Sequence, residues 1–133
     1  MRVGIINLHN LCENNTFFLS RARRYFQLNG HTVTDGRGGV DLAVVGGCAV
    51  TDMMRQRCES AILSLMLERR QVRFVIFGCL AAFPESLKSA FGRDADRIHI
   101  IPYRESHKLD ELIQARTPYE NVRVNRLHGH VPY

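Results

Sequence analysis

Three of the four cysteines, Cys12, Cys48 and Cys79, occupy equivalent places along the chain. Each follows a short apolar run (Arg2–Leu8, Asp41–Gly46 and Arg73–Gly78) and each stands just ahead of a helix-like segment. If those runs are neighbouring parallel strands, the three thiols meet at the carboxyl edge of one sheet, where the strand-to-helix loops of open α/β folds converge. Three convergent thiols point to a metal cluster. Iron–sulfur clusters are held by thiolates, and a set of three ligands leaves one iron without a protein ligand, open to substrate or to a sulfur species. Two of the loops run into helix amino termini, at about Thr51 and Pro84, whose positive dipole ends favour the ligating thiolate. Zinc is the rival metal, but structural zinc sites bring thiols in close C-x-x-C pairs with a fourth ligand, and these cysteines are far apart in sequence.

Other thiol chemistries fail on inspection. A phosphatase-type C-x5-R needs arginine six residues past the cysteine, where this chain has Phe18, Met54 and Glu85. No C-x-x-C is present for a thioredoxin-like centre. Gly46-Gly47 and the turn Gly36-Arg37-Gly38-Gly39 lack the lysine and hydroxyl of a phosphate-binding loop, and read as tight-turn residues that let backbone approach the site. His9 lies near Cys12 in sequence and is read as a solvated or hydrogen-bonded loop histidine. No paired carboxylates argue for general acid–base catalysis.

The elements that must position the thiols alternate along the chain. Phe18, Ala22, Tyr25 and Phe26 fall at helical spacing in Asn14–Asn29, with Gly30 as its stop. His31–Thr34 is placed as an edge strand, and Asp35–Gly39 as a turn cluster. Thr51 or Asp52 caps a second helix running to about Arg70, on which Met54, Cys58, Ala61, Ile62 and Leu65 share a face. That assigns Cys58 to the core. Pro84 begins a third helix in the favoured first-turn position, Arg97–Ile101 is a last strand, and His107–Ala115 a closing helix. Strands alternating with helices imply a parallel sheet. In the order 2-1-3-4-5 the three cysteine-bearing strands are adjacent and their ends span about 10 Å at ~4.8 Å per strand. In the order 3-2-1-4 the third and fourth lie about 14 Å apart, so the flavodoxin-like order 2-1-3-4-5, with helices on both faces, is expected.

Composition bounds the rest. The chain's 133 residues, 45% hydrophobic and 23% charged, make one ordinary globular domain over 1–116, with 117–133 a linker or partner-docking tail that carries His128 and His130. No apolar run approaches the ~18 residues of a membrane span, and the opening residues read as a strand rather than a signal peptide. With cysteines too sparse for a disulfide scaffold, the expected compartment is the cytoplasm. The net charge of +5 comes almost wholly from arginine, Lys88 and Lys108 being the only lysines. Arginine suits phosphate, so RNA contact stays open, although Arg21/Arg23/Arg24 and Arg55/Arg57 sit in helical segments where a solvated face is the usual explanation.

Taken together, Cys12-Glu-Asn-Asn15, Gly46-Gly47-Cys48-Ala49-Val50-Thr51 and Gly78-Cys79-Leu80-Ala81 resemble the N-terminal domain of the radical-SAM methylthiotransferases. That family's pattern is C-x-x-N after the first strand, Asn-Thr-Cys-Ala-Val after the third and Gly-Cys-x-Ala after the fourth, and the resemblance covers roughly residues 1–115. It implies that Cys12, Cys48 and Cys79 ligate an auxiliary [4Fe-4S] cluster whose fourth iron binds the sulfur or methylthio group to be inserted. Asn15, Gly47 and Gly78 are the corresponding supports around the ligands. In the family a C-x3-C-x2-C motif carries a second cluster that cleaves S-adenosylmethionine. This chain has none, so S-adenosylmethionine is expected to enter only through a radical-SAM partner domain or subunit, the acceptor being RNA or protein. Gly46-Gly47 replaces the family's Asn-Thr, and Phe18, Leu19 and Ser20 stand where acidic and serine residues are usual. The rival expectations are a non-catalytic interaction domain that keeps the fold without the cluster, and a zinc-binding RNA-contact module.

Overall fold

The computed structural model describes residues 1–9, 12–36 and 38–123. Continuous apolar runs make buried parallel strands because both faces of such a strand are covered. The chain follows that rule with β1 (Arg2–Asn7), β2 (Thr32–Thr34), β3 (Leu42–Gly46), β4 (Arg73–Phe77) and β5 (Ile98–Ile101). They form one parallel sheet in the expected order β2-β1-β3-β4-β5. Between them run α1 (Glu13–Leu28), α2 (Asp52–Glu68), α3 (Pro84–Phe91) and α4 (His107–Ile113).

The period-2 alternation of the strands divides the core in two. Val44 and Val75 face a cluster with α1 and α4 that includes Ala22, Tyr25, Phe26 and Leu109. Ala43, Val45, Phe74 and Ile76 face the other, with α2 and α3, that includes Ile62, Met66, Leu87 and Phe91. Full burial of each such side chain contributes about 1.5–3 kcal/mol, so both faces hold the sheet between its helix layers. Arg97 stitches the far end of α2 to the segment that follows it, donating to the carbonyl of Met66, in the last turn where helix carbonyls lack intrahelical partners, and to those of Arg69 and Val72.

Residues 117–123, the start of the expected tail, lie on the domain itself. Tyr119 is 2% exposed, its ring against Tyr25 and Phe77, with the Arg21 guanidinium 4.4 Å over it. Asn29 holds the approach, its amide oxygen accepting from the N–H groups of Arg116 and Thr117. An aromatic anchor this large buries too much apolar surface to stay in water. His128 and His130, and the rest of 124–133, lie outside the described residues.

On the edge strand β5, His99 accepts at Nε2 from the Arg73 guanidinium at 2.6 Å. Burial, and then the Arg73 charge, pull the imidazole below its usual range. The unfolded chain takes up this proton near pH 6.5 while the native state resists it, so stability is lost as the pH falls from about 6.5 through the lowered value. His31 is shifted the same way by burial and the neighbouring amino terminus. His99→Gln should therefore flatten part of the fall in melting temperature between pH 7 and pH 5, and an unchanged slope would refute the assignment.

Candidate metal centre

Register brings two of the cysteine-bearing loops level at their start. Val45 pairs with Ile76 across β3 and β4, and Cys48 and Cys79 each come three residues later, on strands ~4.8 Å apart. Gly78 makes the turn into Cys79 with φ +92°, a conformation that disfavours any side chain. Cys79 then opens a short 3-10 turn, Cys79–Ala82, ahead of Pro84. On the other side of β3, β1 pairs with it through Asn7 and Gly46, and Cys12 occupies the N-cap position of α1. Cys12 therefore stands at a helix amino terminus itself. Its side chain makes no capping bond, which leaves the thiol available.

Asn15 ties the Cys12 loop to the sheet. It is 3% exposed, and its amide donates to Asn7 Oδ1 at 2.7 Å and to the His9 carbonyl at 3.1 Å. Asn7, which sequence reasoning passed over, also accepts from the His9 N–H, so one side chain joins His9 to Asn15. His9 thus belongs to the loop through its backbone. Gly46 and Gly47 permit the close approach that this requires. A Cβ on Gly46 would lie 2.6 Å from Asn15 Oδ1 and 2.9 Å from a Leu19 methyl, and one on Gly47 would lie 2.9 Å from Cys58 Sγ.

The three thiols share surroundings. Cys12 and Cys48 are the two thiols that act on Cys79. Burial first, and then those two neighbours, push the Cys79 thiol up, opposite to the helix-end effect expected from Pro84. The physical reason is distance, since the 3-10 turn separates Cys79 from the amino terminus of α3 and the dipole fades within a turn. Cys58 stands apart: it is 3% exposed, senses Cys48 and Glu59, and is absent from the influences on Cys79. Among the described residues no group of three or more His, Cys, Asp or Glu side chains is placed to hold a metal ion. Three thiols with no carboxylate among them are the donor type that iron–sulfur clusters use.

Beside Cys79 opens a cavity of about 520 Å³ lined by Gly78, Cys79, Ala82, Pro84, Tyr103 and Arg104. Tyr103 and Arg104, in the loop after β5, were missed from sequence, although they follow a strand at the same sheet edge. Tyr103 stacks on Phe18 with ring centres 4.0 Å apart, so the position that replaces an acidic residue of the resembled family supports an aromatic wall here. Of the arginine groups, Arg21 is committed to Tyr119 and Arg55 to Ser86, which removes them from a freely solvated face.

No protein-family model matches the chain, and no curated protein matches it. No helix among the described residues is long and apolar enough to cross a membrane.

Proposed function

We propose that this domain holds an auxiliary [4Fe-4S] cluster on Cys12, Cys48 and Cys79 and serves sulfur or methylthio insertion together with a radical-SAM domain or subunit. What supports the reading is that Cys12, Cys48 and Cys79 all follow adjacent strands of one parallel sheet, with Cys12 and Cys48 both acting on Cys79, while Cys58 lies under the backbone of Cys48. When bound, such a cluster supplies an iron without a protein ligand, at which a sulfur species can be held.

The chain's own residues prepare that position. Cys48 and Cys79 each follow in-register strands by the same number of residues, Asn15 in the first turn of α1 bonds back to Asn7 and His9, and Tyr103 and Pro84 line the cavity beside Cys79. S-adenosylmethionine belongs to the partner in this reading, and the acceptor is an RNA or a protein side chain. Thiols kept for ligation imply a reducing, cytoplasmic setting.

The test is iron and acid-labile sulfide content, with a visible spectrum, on anaerobically purified or reconstituted protein. About four of each per chain is expected for one such cluster. Zinc in place of iron would favour the RNA-contact module, and no metal after reconstitution would leave an interaction domain.

A further inference from the structure

Cys58 has an unusual position for a core residue. Its Sγ accepts the backbone N–H of Cys48 at 3.4 Å in a buried setting. A Cβ on the intervening Gly47 would come within 2.9 Å of that sulfur, 3.2 Å of the Cys58 Cβ and 3.2 Å of a Leu80 methyl. The backbone carrying Cys48 thus lies directly on the thiol of α2, with no side chain between them. A buried amide needs an acceptor, and sulfur, though weak, has the reach to serve one.

We infer that Cys58 is a positioning residue for Cys48, holding the Gly46–Cys48 backbone against α2 so that the Cys48 thiol is presented at the sheet edge. The inference rests on the reading of Cys48 as a ligand, but the clamp itself is a property of the metal-free chain. An alanine at 58 removes the acceptor and opens space under Gly47. Serine keeps an acceptor on a shorter bond and should restore the clamp in part. Another residue on the same face of α2, Ile62, is equally buried and serves as the control for lost packing alone.

In metal-free full-length protein, iodoacetamide labelling of Cys48, read by peptide mass spectrometry, should run about ten-fold faster in Cys58→Ala than in the parent, the equivalent of one lost hydrogen bond. Cys58→Ser should fall between them, and Ile62→Val, compared at equal distance below its melting temperature, should match the parent. Equal labelling of Cys48 in Cys58→Ala and the parent, or equal acceleration in Ile62→Val, overturns the inference. If the alanine variant fails to fold, hydrogen exchange in the parent decides: a protected Cys48 amide supports the clamp, and one that exchanges like exposed Val50 refutes it. Iron content separates this from the function. A parent protein that takes no iron defeats the cluster reading, whereas unchanged Cys48 reactivity defeats the clamp.

Discussion

Serine in place of Cys12, Cys48 or Cys79 should each reduce reconstituted iron and sulfide from about four per chain to below one, because a cluster held by three thiolates does not survive on two. The fold should persist in all three variants. Cys12 and Cys79 are only half-buried, and neither fills the two core clusters. Cys48 is buried, yet its role in the fold runs through its backbone N–H, which serine retains. Cys58→Ser should keep its iron after reconstitution, with a lower melting temperature as the visible cost. The pattern across four variants is therefore the measurement: three colourless and one brown. A bleached Cys58→Ser protein beside three brown ones would overturn the ligand assignment, and two bleached variants with one intact would reduce the site to a two-thiol one.

The strands were legible because each is a bounded apolar run, and their order because, of the two orders weighed, 2-1-3-4-5 brings the cysteine-bearing ends nearer one another. Helix starts with strong local chemistry were legible too: Thr51 accepts from the Met54 N–H as a capping residue does, and Pro84 opens α3. Cys12 as an N-cap was not, since cysteine is not a capping residue and its side chain makes no capping bond. What remained hidden depends on contacts between distant segments. Nothing local to Tyr119 announces that it will pack on Tyr25 and Phe77, and helical spacing assigns Cys58 to the core without showing that Cys48 rests on it. Tyr103 became a site residue only when β5 took its place at the end of the sheet.

The same distinction governs Gly46. By resemblance its replacement of asparagine looks like a lost side chain, and restoring Gly46→Asn looks like a repair. The geometry predicts the opposite. The space is already filled by the Asn15 amide at 2.6 Å and by both Leu19 methyls at 2.9 and 3.0 Å from a Cβ at 46, and both neighbours are buried. Overpacking of this kind costs ~1–3 kcal/mol, and pushing Asn15 off Asn7 and His9 adds ~1 kcal/mol or more for buried bonds left unmade. A loss of about 3 kcal/mol, roughly 10 °C in melting temperature for a chain of this size, is expected for Gly46→Asn, with about half that for Gly46→Ala. Displacing Asn15 also moves the turn that carries Cys12, so iron content should fall with stability, although no ligand has changed. A double-mutant cycle identifies the cause. In an Asn15→Ala background the cost of Gly46→Ala should shrink by at least ~0.5 kcal/mol, the size of coupling expected between touching residues, with Leu19 accounting for what remains. Strict additivity would show that Gly46 and Asn15 do not compete for this space, and a stabilised, fully iron-loaded Gly46→Asn protein would show that the family's asparagine fits after all.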